Sequence, residues 1–245
     1  MNLEYEVKYH QIEENYWWFQ ARRDMVFRLI QEMHLPSTAE ILEIGCSGGP
    51  LLQRLSNTGY TNLTGIDVSE AGVAVARERG LTNVSCMDGA HLDFSSDSFD
   101  LIIASDVLEH IADEAQALRE WTRVLRPGGQ LLVFVPAFPF MWGKHDIINQ
   151  HFRRYTAAQL TSRLQQVGLH IKRQSYWNVG LFLPTAVVRL LSRVIPGTET
   201  PAKDDFFATP PLLNKLLRNL ITIENRLLRL IDAPIGVSVF VLARK

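Results

Sequence analysis

The chain has 245 residues, of which 47% are hydrophobic, and this composition can bury the core of one large domain. Its formal net charge of -1 excludes the overall basic field of a typical nucleic-acid-binding protein, so we expect no nucleic-acid partner. The two cysteines, Cys46 and Cys86, lie in apolar runs, and no secretion signal or membrane-spanning run is recognisable. We therefore expect reduced thiols in a cytoplasmic protein.

Short apolar runs alternate with helical stretches between residues 40 and 135. The runs predicted as strands are 40–44, 62–66, 82–87, 99–105 and 130–135. Helices are predicted over 50–56, 69–79 and 114–124, and the last of them is expected to stop at the Arg-Pro-Gly-Gly turn before the fifth strand. This alternation is typical of parallel strands joined by crossover helices, so the sequence predicts an α/β fold with a doubly wound sheet.

Three segments outside this body have a different composition. Tyr16-Trp17-Trp18-Phe19 precedes a predicted helix over 22–33, residues 138–155 are rich in aromatic, His and Arg side chains, and residues 181–231 read as apolar helices. Two late strands, 169–176 and 237–243, flank that last segment. We expect an N-terminal helical cap (1–36), a core (37–178), a helical insertion (179–235) and a last core strand (236–245). The insertion could pack on the core, line an acceptor pocket, pair two chains in a homodimer, or rest as a peripheral contact on the inner face of a membrane.

Polar groups follow the predicted strands at the edge where an open α/β sheet binds ligands. The loop from Gly45 to Gly49 offers bare backbone and a helix N-terminus to a carboxylate or phosphate. Asp67, about twenty residues later, is placed to accept hydrogen bonds from both hydroxyls of a ribose, although it could also cap the following helix. The loop lacks the G-x-G-x-x-G spacing of dinucleotide-binding proteins, so a nucleoside other than NAD is favoured.

Five motifs occur in order between residues 43 and 129. They are Glu-Ile-Gly-Cys-Ser-Gly-Gly, Gly-Ile-Asp-Val-Ser, Met-Asp-Gly-Ala, Phe-Asp-Leu-Ile-Ile-Ala-Ser-Asp-Val-Leu-Glu-His-Ile and Leu-Arg-Pro-Gly-Gly. Together they resemble the class I S-adenosylmethionine-dependent methyltransferases, of bacterial type. The resemblance implies a Rossmann-like seven-stranded sheet, mostly parallel with the last strand antiparallel, and S-adenosylmethionine as the cofactor.

The resemblance also assigns cofactor contacts to the residues that match its motifs. The methionine end would lie against Glu43 and the loop, the ribose at Asp67, the adenine edge at Asp88, and the sulfonium beside Asp106. The full set is Glu43, Gly45, Cys46, Ser47, Gly49, Asp67, Val68, Asp88, Gly89, Ser105 and Asp106. Ser47 departs from the family pattern, which has glycine at that position.

Candidate catalytic residues follow the fifth strand. A histidine suits the removal of a proton from a hydroxyl acceptor, so His145 is the first candidate for a general base and His151 the second, with Asp146 orienting an imidazole. For the pair Glu109 and His110, we favour a role in local structure over a catalytic role. We predict no metal site, because the spacing of His145, Asp146 and His151 does not match structural zinc sites.

Aromatic and basic residues near both ends of the core are candidates for binding the substrate. Arginines can grip a phosphate or carboxylate, and aromatic rings can stack on a sugar or pack a cap. The candidates are Trp17, Trp18, Arg22, Arg153, Arg154 and Tyr155. The aromatic arm and the His-x-x-Arg-Arg-Tyr-Thr stretch further resemble methyltransferases of cell-surface glycan pathways.

Three functions are consistent with these features. The first is O-methylation of a glycan precursor or another small polar acceptor, and the second is methylation of a quinone-like or lipid acceptor. The third is a non-catalytic partner subunit that binds S-adenosylmethionine, an option raised by Ser47 and by the absence of an unmistakable catalytic residue.

Overall fold

The computed structural model describes residues 13–194 and 209–245, which form an α/β domain around one seven-stranded sheet. In chain order the elements are α1 (Trp17–Glu32), β1 (Glu40–Ile44), α2 (Pro50–Ser56), β2 (Asn62–Asp67), α3 (Glu70–Glu78), β3 (Val84–Cys86), β4 (Phe99–Ser105), α4 (Glu114–Val124), β5 (Leu125–Pro136), α5 (Lys144–Ile148), α6 (Ala157–Gln166), β6 (His170–Trp177), α7 (Phe182–Val194), α8 (Pro211–Leu227) and β7 (Ser238–Arg244). Short 3-10 helices at Leu108–His110 and Pro139–Met141 follow β4 and β5.

The strand order is β3-β2-β1-β4-β5-β7-β6, with β7 antiparallel to both of its neighbours. The pairs β1–β2, β1–β4, β2–β3 and β4–β5 are parallel. The predicted fold, a mostly parallel doubly wound sheet whose last strand is antiparallel, is confirmed. Because β1 and β4 are central, the carboxyl ends of β1, β2 and β4 meet at one edge of the sheet.

Each face of the sheet is covered by helices, so the central strands are apolar on both sides. Along β5, Leu131 and Val133 pack into the core under α4 and α6, whereas Leu132 and Phe134 pack into the core under α1 and α8. This alternation follows from the period of two along a strand. Two hydrophobic cores therefore hold the sheet between two helical layers.

The N-terminal helix is part of the second core. Met25 and Ile30 are fully buried there, and Asn225 of α8 donates a 2.9 Å hydrogen bond to the carbonyl of Ala21. The helix begins at Trp17, earlier than the predicted start at residue 22, because Trp17 extends the buried face of Ala21 and Met25 by one turn. Its position brings α1 over the carboxyl edge of β4.

The start of the fifth strand also differs from the prediction. The strand begins at Leu125, and the Arg-Pro-Gly-Gly sequence bulges out of the ladder between the pairs Phe99–Leu125 and Leu101–Gln130. Gly128 has φ +84°, a left-handed conformation that glycine adopts without steric cost. The predicted turn is thus an irregularity inside the strand.

Across the described ranges, no helix combines the length and the apolar content that crossing a bilayer requires. The exposed faces of α7 and α8 are nonetheless apolar. Exposed large side chains there include Leu183, Val187, Val188, Leu212, Leu216, Leu220 and Ile223.

Candidate active site

A cavity of about 1000 Å³ opens at the carboxyl edge of the sheet, beneath α1. Of the residues predicted to bind the cofactor, those that line it are Glu43, Gly45, Cys46, Ser47, Asp67, Val68, Asp88, Gly89, Ser105 and Asp106. The other predicted residues that line it are Trp17, Trp18, Arg22, His145, His151 and Arg154. Gly49, Arg153 and Tyr155 lie outside its lining.

The loop after β1 is shaped by two left-handed glycines. Gly45 has φ +74°, and a Cβ there would lie 2.4 Å from a methyl of Val107. Gly49 has φ +75°, and a Cβ there would lie 2.2 Å from Leu81. Since real Cβ contacts are never so short, both positions require glycine. Gly49 therefore sets the turn into α2 from outside the cavity.

Ser47 adopts φ +49°, the region in which glycine is favoured. Its hydroxyl donates a 2.9 Å hydrogen bond to Glu13, and its amide donates one of 2.8 Å to Asp67. The serine thus adopts a left-handed conformation that glycine would adopt without strain, and its hydroxyl adds a contact to Glu13.

Asp67 stands at the end of β2 with both carboxylate oxygens oriented by backbone. The amides of Ser47 and Ser69 donate to Oδ2 and Oδ1 at 2.8 and 2.9 Å. The cap of α3 is Ser69 itself, whose hydroxyl accepts from the amide of Gly72. Asp67 lines the cavity, and a carboxylate is a strong acceptor for the hydroxyl groups of a ligand there.

The next stretch of the lining combines an acid with an exposed apolar side chain. Asp88 accepts the amide of Ala90 at 2.9 Å, and the carbonyl of Gly89 is held by the indole of Trp121 at 2.7 Å. Val68 is 72% exposed next to Asp67. An exposed valine beside polar groups suits the flat face of a nucleobase.

Glu43, at the end of β1, is a buried acid beside the loop and Asp67. Its Oε2 atom has no hydrogen-bond partner within the described ranges. Burial, and then the charge of Glu13, raise the pKa of Glu43 well above its usual range.

The other half of the cavity contains Arg22, a buried arginine that pairs with Asp106 at 3.4 Å and donates to the hydroxyl of Ser238 at 2.6 Å. Its guanidinium lies 4.9 Å from the ring centre of Trp18 and 4.2 Å from that of Trp177. Burial raises the pKa of Asp106, and the positive charge of Arg22 opposes this shift. Trp18 and Arg22 therefore wall the region next to the end of β4.

Asp146 organises the far end of the cavity although it is fully buried. It accepts hydrogen bonds from Nδ1 of His151 at 2.9 Å, from Arg154 at 2.7 Å and from Arg189 at 3.0 Å. Burial alone would raise the pKa of Asp146, but the bonds from His151 and Arg154 hold it below the usual range. Asp146 is therefore ionised and fixes the orientation of the His151 imidazole.

His145, the first predicted base, has a different environment. Burial and the charge of Arg189 lower its pKa to about 3. Asp146, which sequence analysis expected to orient an imidazole, orients that of His151. Among the two candidates, His151 has the Asp–His geometry of a general base.

Glu109 and His110 also line the cavity, next to His151. The imidazole rings of His110 and His151 meet edge to face with centres 4.6 Å apart. Burial, and then the charge of Asp106, raise the pKa of Glu109, whereas burial and the neighbouring His151 lower that of His110 to about 4. Sequence analysis favoured a structural role for this pair, and the signal that could have drawn attention to it is its position just past the end of β4.

The Arg-Arg-Tyr stretch divides between the cavity and the outer surface of the loop. Arg153 forms a 3.2 Å ion pair with Glu114, and the hydroxyl of Tyr155 donates to the same carboxylate at 2.6 Å. Arg154 is buried and bonds to Asp146 and to the carbonyl of Ala137. Successive residues of an extended chain point in opposite directions, so only the middle one reaches the cavity. Arg153 and Tyr155 therefore lie outside the cavity lining, whereas Arg154 belongs to it.

The strand order and the cavity together define a Rossmann-like domain with a large polar-lined cavity at the carboxyl edge of its sheet. Residues 42–133 match a family model described as a methyltransferase domain. Over these residues the predicted resemblance to the class I S-adenosylmethionine-dependent methyltransferases is confirmed. Family and fold imply S-adenosylmethionine as the cofactor.

Two curated relatives and one solved structure illustrate the match. A probable S-adenosylmethionine-dependent methyltransferase of Mycolicibacterium smegmatis is 34% identical over 65% of this chain and 62% of its own. A ubiquinone biosynthesis O-methyltransferase of Pseudomonas aeruginosa is 34% identical over 38% of this chain and 43% of its own. The crystal structure of the [4+2]-cyclase SpnF is 25% identical and aligns with a TM-score of 0.60 over 91% of this chain and 81% of that chain. These alignments thus span less than two thirds of the two curated relatives.

Proposed function

We propose that this protein transfers the methyl group of S-adenosylmethionine to a hydroxyl group of a small acceptor. The observation that carries the proposal is that a loop and an acid suited to a nucleoside cofactor share one cavity with an Asp–His pair. The cofactor would bind on one side of that cavity and the acceptor on the other.

Each part of S-adenosylmethionine would bind at the end of a different strand. The amino acid moiety would lie against Glu43 and the loop from Gly45 to Ser47. The ribose hydroxyls would donate to Asp67, whose orientation by two backbone amides supports this role. Adenine would lie between Val68 and the Asp88 turn, and the sulfonium near Asp106, whose negative charge favours a cation.

The reaction itself needs alignment and one proton transfer. When bound, S-adenosylmethionine would supply an electrophilic methyl group, and transfer of that group to an acceptor oxygen would release the sulfur as a neutral thioether. The hydroxyl proton passes to Nε2 of His151, whose Nδ1 already donates to Asp146. The ionised Asp146 stabilises the imidazolium that results.

The acceptor side of the cavity is walled by the two predicted cap segments. Trp18 and Arg22 come from α1, and Arg189 comes from α7. An aromatic wall beside a buried arginine suits a planar or sugar ring that carries polar groups. These groups support the first proposal, a glycan precursor or another small polar acceptor.

A quinone-like acceptor is the second candidate. Two observations favour it: relatives that include ubiquinone biosynthesis O-methyltransferases, and the apolar surface of α7, the helix that also contributes Arg189 to the cavity. A lipid-linked acceptor would reach the cavity across that surface.

The test measures transfer of a labelled methyl group from S-adenosylmethionine to a panel of nucleotide-sugar and quinol acceptors. With the acceptor found, His151→Gln should lower turnover about 100-fold or more and leave cofactor binding intact, because general bases contribute factors of this size. His145→Gln is the matched control and should retain most of the turnover. Cofactor binding with no turnover on any acceptor would favour a non-catalytic binding subunit instead.

A further inference from the structure

Three potential metal ligands converge at the far end of the cavity. Glu109 and His110 belong to the 3-10 helix after β4, and His151 follows α5 some forty residues later in the chain. One donor atom from each lies within 4.8 Å of the donor atoms of the other two. The amide of Phe152 donates a 2.7 Å hydrogen bond to the carbonyl of Glu109, which holds the two segments together.

Glu109 is unusual because its carboxyl group is fully buried. Neither of its oxygens has a hydrogen-bond partner among residues 13–194 and 209–245. A buried carboxyl group without partners is costly, and buried polar groups in native proteins are normally satisfied. A ligand bound beside His110 and His151 would satisfy it.

His151 is already oriented as a metal-binding histidine would be. Asp146 accepts the proton of Nδ1 at 2.9 Å, which leaves the Nε2 lone pair available. A carboxylate that holds the second nitrogen of a ligating histidine is a recurrent support of metal sites. Asp146 is itself held by Arg154 and Arg189, so the imidazole has little freedom to turn.

We propose that Glu109, His110 and His151 form a binding site for a divalent transition-metal cation of the zinc or cobalt class. Two imidazoles and one carboxylate suit these cations better than magnesium, which prefers oxygen ligands. Three protein ligands leave coordination positions open toward the cavity. The sequence prediction of no metal site considered Asp146 as a ligand, whereas the fold makes Asp146 the support and adds Glu109 and His110.

The proposal rests on the proposed function and on the same cavity, and in the metal-loaded state it replaces the general-base role of His151. A cation and a proton compete for Nε2 of His151, so the loaded site no longer offers that nitrogen as a base. In the loaded site the cation would lower the pKa of an acceptor hydroxyl bound to it, and the proton would pass to water in the open cavity. The site thus favours acceptors whose oxygen can coordinate a cation.

The experiment titrates the chelator-treated protein with Co²⁺ and with Zn²⁺. Binding is monitored by calorimetry and, for cobalt, by visible absorption. We expect one equivalent to bind, with the absorption of a cation that has nitrogen and oxygen ligands. Glu109→Gln should abolish this binding, and Asp146→Asn should weaken it about 10- to 100-fold, as loss of a supporting carboxylate does. The ring centre of His145 lies 6.0 Å from that of His151. His145→Gln is therefore the matched control and should bind the cation normally.

Absence of one-equivalent binding in the wild type, or equal affinity in Glu109→Gln, would overturn the metal site. His110→Gln serves as a second ligand variant if Glu109→Gln fails to fold. Titration with S-adenosylmethionine separates this failure from that of the proposed function. Intact cofactor binding and turnover without metal would leave His151 as the base and remove only the cation.

Discussion

Replacing Asp67 by alanine removes the acceptor that we propose for the ribose of S-adenosylmethionine. Two ribose hydroxyls would donate to this carboxylate, and hydrogen bonds to charged groups contribute about 1.5–3 kcal/mol each. The variant should therefore lose about 3–6 kcal/mol of binding free energy, which is a factor of roughly 10² to 10⁴ in Kd.

The same substitution leaves the amides of Ser47 and Ser69 without their acceptor, at a cost in stability of about 1 kcal/mol each. Both amides lie at the edge of an open cavity, where water can replace the carboxylate, so the fold should persist. A thermal melt monitored by circular dichroism checks that the variant is folded before its binding is measured.

Calorimetric titration with S-adenosylmethionine gives the affinity, and Asp67→Asn is the matched control. Asparagine keeps one acceptor oxygen and loses the charge, so its affinity should fall between those of the wild type and Asp67→Ala. If Asp67→Ala is folded and binds as tightly as the wild type, the placement of the nucleoside is wrong.

Three further substitutions test the electrostatics and backbone of the cavity. Asp146→Asn should destabilise the protein by about 3–5 kcal/mol in denaturant titrations, because it leaves two arginines without their carboxylate; a loss below about 1 kcal/mol would contradict the network. Glu43→Gln should stabilise the protein at pH 8 more than at pH 4. The raised pKa of Glu43 means that its contribution to stability is complete below about pH 4.3 and is lost as pH rises through the folded pKa, and equal effects at both pH values would refute this. Ser47→Gly should be at least as stable as Ser47→Ala by thermal melting, because both variants lose the bond to Glu13 but only glycine relieves the strain at φ +49°; a less stable glycine variant would argue against strain.

The part of the site that sequence predicts well is local. The loop at Gly45, the acid at Asp67 and the turn at Asp88 each follow a strand directly, so the fold class alone brings them to one edge. Within the loop, Gly45 and Gly49 have positive φ angles, which glycine adopts without steric cost.

The part that sequence did not predict depends on packing between distant segments. Nothing near Asp146 indicates that it binds His151 rather than its neighbour His145, because that choice depends on the turn after α5. The burial of Arg22 requires β7 and Trp177, which come more than 150 residues later. The meeting of Glu109 with His151 likewise joins two loops that no spacing pattern connects.

The bulge in β5 shows why a local turn signal did not predict where the strand begins. Arg-Pro-Gly-Gly is a turn signal, and the left-handed Gly128 fits a turn, but Leu125 before it pairs with Phe99 and extends the strand. Pairing with an existing neighbour strand outweighs the local preference for ending the strand there.

The central claim is that S-adenosylmethionine binds in the cavity at the carboxyl edge of the sheet. Calorimetric titration of the purified protein with S-adenosylmethionine, and separately with NAD, tests it most directly. The account predicts one-to-one binding of S-adenosylmethionine and none of NAD, because the loop after β1 lacks dinucleotide spacing. Binding of NAD, or no binding of S-adenosylmethionine to the folded protein, would contradict it.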